Sequence, residues 1–127
     1  MRPLLIFLLA AIVPGAGHAV IGISRGALAL ISPLALLLGV FIGAALGMGP
    51  AGVAGWMLSS TGLTVLAVLN ILFALLRAGG LFDLVRRVRG AGFRIVGVAL
   101  IALTVVLPHL YVGQTIAAVA ASMDQAF

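Results

Sequence analysis

Two carboxylates and two imidazoles are the only side chains here suited to acid–base or metal chemistry: Asp83, Asp124, His18 and His109. There is no Cys, Glu or Lys. Without Cys there are no disulfides, thiolate metal sites or cysteine nucleophiles. Asp83 and Asp124 are expected on opposite sides of a membrane, so they cannot form a paired-carboxylate site. Two histidines with no other strong ligand make a poor metal site, and nothing supports a Ser-His-Asp arrangement. No membrane-embedded carboxylate marks a proton or ion path. We therefore expect no enzyme activity, no metal and no cofactor.

Arginine is the remaining chemistry. All 7 basic side chains are Arg, and Arg77, Arg86, Arg87, Arg89 and Arg94 fall in one stretch. Guanidinium forks match phosphate oxygens. His18, Arg25, Arg86, Arg87, Arg89 and Arg94 are therefore the candidate residues for a lipid-headgroup or phosphate site. A cytoplasmic loop rich in Arg is also what the positive-inside rule gives without any site.

The elements that must hold these residues are membrane elements. The chain has 127 residues, 65% hydrophobic and 7% charged, with a mean hydropathy of +1.42. A soluble domain needs far more polar surface. The isoelectric point near 11.9 does not argue for nucleic acid, because so little of the chain is wetted. The expected fold is all-α: a polytopic helical membrane protein with three full spans plus an N-terminal kinked or re-entrant helix, three to four spans in total, forming one domain over 1–127.

Residues 3–23 begin as a short apolar run after Arg2 and resemble a signal peptide, but the sequence continues directly into more membrane segments. Pro14, Gly15 and Gly17 should kink or end this helix. Eleven helical residues rise only about 16 Å, half of a ~30 Å hydrocarbon core, so the segment forms either one kinked span or a re-entrant hairpin. A span is expected over 27–49, carrying Ala35, Gly39, Gly43 and Gly47 as a stripe for close helix packing. A turn over 48–55 leads to Trp56, an interfacial anchor, and to a second span over 56–77. Asn70 within it can join helices, and Arg77 is long enough to snorkel to the surface. Gly79-Gly80 should end that span. Leu81, Leu84, Val85 and Val88 then recur at helical spacing, predicting a short amphipathic interfacial helix over 81–89. The last span is expected over 95–118, kinked by Pro108.

The arginines place the 77–94 loop in the cytoplasm and the C-terminus outside, in a bacterial inner membrane. The Ala, Gly, Leu, Val and Arg bias without Lys points the same way.

Two stretches resemble a known family. Pro14-Gly15-Ala16-Gly17-His18-Ala19-Val20-Ile21-Gly22, followed by Arg25-Gly26, is similar to the PGxGxxYxG…RG opening of small bacterial membrane domains. Those domains include the N-terminal membrane region of LytR-CpsA-Psr proteins. Leu107-Pro108-His109-Leu110-Tyr111-Val112-Gly113 through Met123-Asp124-Gln125-Ala126-Phe127 is similar to that region's final span. Val20 departs from the motif's aromatic. The family transfers glycopolymers from a polyprenyl-pyrophosphate carrier, and its catalytic residues lie in a domain that begins about where Phe127 stands. The resemblance thus implies a membrane anchor near carrier lipid, with no catalytic residue carried over.

The function expected is a non-catalytic membrane-anchoring or lipid-proximal module of the cell envelope. Its partners would be anionic or polyprenyl lipids, with a second copy or larger complex held through the glycine stripe. The alternative is a small accessory subunit of a respiratory or photosynthetic complex. A small channel or transporter is third.

Overall fold

A computed structural model describes residues 3–87 and 91–126, and the described residues are helices and turns with no strand. The helices are α1 (Pro3–Ile12), α2 (Ala16–Val20), α3 (Ser24–Met57), α4 (Ser60–Arg87), α5 (Ala91–Ile101) and α6 (Leu107–Ala126). A π-helical turn, Ala102–Val106, joins α5 to α6. Three stretches are long and apolar enough to cross a membrane: Ser24–Met57, Ser60–Arg87 and Arg94–Met123.

The N-terminal segment is a hairpin. Pro14 lacks the N–H that would continue α1, and Gly15 turns the chain at φ +88°. The return helix α2 lies so close to α1 that a Cβ on Gly17 would stand 2.8 Å from Ala10 Cβ and 3.2 Å from Ile6 O. The hairpin tip abuts α3, where a Cβ on Gly15 would stand 2.7 Å from Ala27 O.

Helix α4 differs from the expected pair of a span over 56–77 and an interfacial helix over 81–89. It runs unbroken through Gly79 and Gly80 to Arg87. Two interior glycines cost about 1 kcal/mol each, and packing outweighs that. A Cβ on Gly80 would stand 2.8 Å from Leu30 Cδ1, so the missing side chain seats α3. The apolar stripe of Leu81, Leu84 and Val85 does not face lipid. It is buried with Ile6, Phe7, Ala10 and Val105 in one core. Amphipathic spacing records an apolar neighbour, and here that neighbour is the hairpin. Val88 and Arg89, the rest of the expected interfacial helix, lie outside the described residues.

The expected turn over 48–55 is also different. Gly49 breaks α3 at φ 71°, ψ 164°, after which the chain is helical again to Met57. Pro50 suits the first position of that new helical stretch, where its missing N–H costs nothing. Trp56 lies on this piece, and the reversal falls at Leu58-Ser59. Ser59 caps α4: its Oγ accepts the Gly62 N–H at 3.0 Å and donates to Trp56 O at 2.6 Å.

The stripe on α3 packs against none of the described residues. Ala35 is exposed, and a Cβ on Gly39, Gly43 or Gly47 would meet no atom within 4 Å. Close approaches between segments fall instead at Gly15, Gly17, Gly62, Gly80 and Gly97, the last against Val85.

Candidate functional site

Polar side chains gather at two levels, one at the arginine end and one inside the bundle. At the arginine end, Gly17 lets α2 settle against α1 and Leu84, which carries His18 inward to 3% exposure. His18 Nε2 lies 3.1 Å from Asp83 Oδ2. A carboxylate only accepts, so Nε2 carries the proton and Nδ1 is left buried without a partner. Arg87 Nε donates to the same Asp83 oxygen at 2.7 Å. At 28 residues, α4 is about 42 Å long, more than a ~30 Å hydrocarbon core. The charges of α4 beyond Arg77, on Asp83, Arg86 and Arg87, all fall in its last turns, which marks that end as the one that outruns the core. The Arg87 hydrogen bond, with help from His18, holds the Asp83 carboxyl below the usual carboxylate range against a smaller opposing effect of burial.

The candidate phosphate residues are thus divided. His18 and Arg87 are engaged by Asp83 and do not point to an open anion site. Arg25, Arg86 and Arg94 are exposed at the same end, and none forms an ion pair among the described residues. Arg86 stands with its guanidinium carbon 5.8 Å from the centroid of the Phe82 ring, at the outer limit of a cation–π contact. Arg89 lies outside the described residues.

Inside the bundle, Asn70 joins α4 to α6 by two contacts. Its Nδ2 donates to His109 O at 2.8 Å, and its Oδ1 lies 2.6 Å from His109 Nδ1. A backbone carbonyl can only accept, so the amide must present Nδ2 there and Oδ1 to the ring. The ring proton is therefore on Nδ1, and the neutral imidazole keeps a bare Nε2, buried and without a partner. The expected role of Asn70 in helix packing takes this specific form.

Arg77 does not snorkel. Its Nη2 donates to Ala11 O at the end of α1. The Pro14-Gly15 break leaves the last carbonyls of α1 without helical donors, and a cation there also matches the negative end of the helix dipole. The Arg77 Nε is buried with no partner. Beyond the hairpin tip, α3, α4 and α6 wall a fissure of about 650 Å³ with Pro14, Phe41, Phe73, Asn70, Arg77 and His109 among its lining.

Among the described residues no group of His, Cys, Asp or Glu could hold a metal ion. Sequence reasoning missed the His18–Asp83 and Arg77–Ala11 contacts, which join residues 65 and 66 positions apart. No local pattern signals such pairs. The one available hint was an Arg placed inside an apolar helix, which must find a partner.

No family model, no curated protein and no solved structure matches this chain.

Proposed function

We propose that the chain is a non-catalytic, lipid-proximal membrane module. It crosses a bacterial inner membrane three times and dips its N-terminal hairpin into the inner half. The arginine end is cytoplasmic and the C-terminus outside. The carrying observation is that Arg25, Arg86 and Arg94 are exposed at the end of the bundle with no acidic partner among the described residues. Unpaired guanidinium groups at the end of a bundle favour anionic headgroups. The opening and closing motifs that resemble the LytR-CpsA-Psr membrane region support the same reading.

The test is native mass spectrometry of the protein extracted in mild detergent, with phosphatidylglycerol added. The expected result is retained phosphatidylglycerol, reduced several-fold in an Arg25→Gln, Arg86→Gln double variant. Equal retention by the two proteins defeats the reading.

A second reading has its own observation. The open Gly39, Gly43 and Gly47 surface would suit a partner helix, as in an accessory subunit of a larger membrane complex. Recovery at fixed stoichiometry with such a complex, lost in Gly43→Ile, would favour it over the first.

A further inference from the structure

Arg77 is a full positive charge in the body of an otherwise apolar helix. Among the described residues the one acidic side chain with a described position, Asp83, is already held by Arg87 and His18. One Arg77 donor is used on Ala11 O, and Nε has no partner. A helix C-terminus supplies only about half a countercharge. Arg77 therefore lines a fissure of about 650 Å³ with its charge incompletely matched.

From Arg77 the fissure runs along α4 between α3 and α6, past Leu37, Phe41 and Leu69 to Leu66 and Met57, the chain neighbour of Trp56. From Arg77 to Leu66 the helix rises about 16 Å. The hairpin tip, with Ile12 and Pro14, closes the Arg77 end. A charged floor and a long apolar slot together have the shape of one kind of guest.

We propose that this fissure binds a single-chain anionic amphiphile, with its head on the Arg77 guanidinium and its tail running along α4, between α3 and α6, toward Met57 and the neighbouring Trp56. The guanidinium fork accepts a planar carboxylate or a phosphate equally well in geometry. This rests on the lipid-proximal reading but uses none of the surface arginines. Loss of one site therefore leaves the other intact: headgroup retention depends on Arg25 and Arg86, and the fissure on Arg77.

Trp56 is the chain's 1 Trp, so it reports on the far end of the slot. The experiment titrates terminally brominated hexadecanoate into the protein in mild detergent and follows quenching of Trp56 fluorescence. Brominated hexadecanol, with the same chain and no charge, is the comparison. The expected result is saturable quenching by the acid with at least tenfold higher affinity than by the alcohol. Arg77→Gln should abolish that preference, since Gln can still donate to Ala11 O, and Arg77→Lys should keep it. Unbrominated hexadecyl phosphate then competes. Stronger competition than by hexadecanoate assigns a phosphate head, and weaker competition a carboxylate. Equal quenching by acid and alcohol in the unaltered protein overturns the proposal, whatever the variants do. So does an unchanged preference in Arg77→Gln.

Discussion

At the arginine end, α1, α2, α4 and the π-helical turn meet around Phe7, Leu84 and Val105, all fully buried. The space left among Ala10, His18, Arg77 and Leu81 is about 10 Å³, room for one water molecule at most. At the other end, α4 and α6 flank a groove of about 630 Å³ between Ser60, Thr64, Gly113 and Met123. There Leu46 is 83% exposed, and a Cβ on Gly39, Gly43 or Gly47 would meet no described atom within 4 Å. The apolar residues are of much the same types at both ends, while the charged groups are concentrated at the first. The difference teaches that in lipid, where apolar area alone does not hold helices together, order follows from interdigitation and paired polar groups. The arginine end has both.

The strongest way to break this contrast is Gly17→Leu. The new side chain would overlap Ala10 and Leu84, and the hairpin should leave its site at a cost of about 3 kcal/mol or more. Thermal unfolding in detergent should show a large drop in Tm. Gly43→Leu, with open space around it, should stay within about 0.5 kcal/mol. Equal drops for the two would mean that the ends do not differ.

Next in size is the pair Phe7→Ala and Leu46→Ala. Removing buried Phe7 leaves a cavity and should cost about 3 kcal/mol, while Leu46 at the open end should cost little. Denaturant unfolding of both variants in the same micelles makes the comparison. Asn70→Leu comes third. It removes both contacts to His109 and should lower stability by about 1 kcal/mol, the usual scale for polar contacts between membrane helices. It should also let the His109 ring exchange tautomers, visible as averaged imidazole nitrogen shifts in NMR.

The smallest effect belongs to acid. The folded-state pKa of Asp83 lies below its unfolded value. Its pairing therefore contributes stability above the unfolded value, about pH 4, and loses it as pH falls through the lowered folded value. The pair is partly exposed, so salt should shrink the effect. Tm should fall on acidification below that pH, and Asp83→Asn should flatten the fall. A steeper fall in the variant than in the parent would contradict the assignment.

The helical membrane class could be read from hydropathy and the near-absence of charge, because those follow directly from the solvent. The break after Val13 could also be read, since Pro14 and Gly15 act locally. The Leu81, Leu84 and Val85 stripe and the Gly39, Gly43 and Gly47 stripe each reveal a face, and a face does not name its neighbour. The first reads as lipid-facing and packs on α1. The second meets no described atom of this chain, which leaves a second copy or a larger complex as the packing partner the spacing calls for. His18 carried a hint of importance in its motif, but its partner Asp83 lies 65 residues away, beyond any local rule.

The hairpin also sets a clock. The surface that receives it, Leu81 to Val85, is made about 70 residues after the hairpin itself. At about 5–20 residues per second that is a wait of roughly 4–14 s. For that interval an apolar helix with a broken end sits without its cap from Arg77 and without its core neighbours. Whatever holds the nascent chain at the insertion site must keep this segment from straying until α4 arrives, so the hairpin is made well before it can find its place.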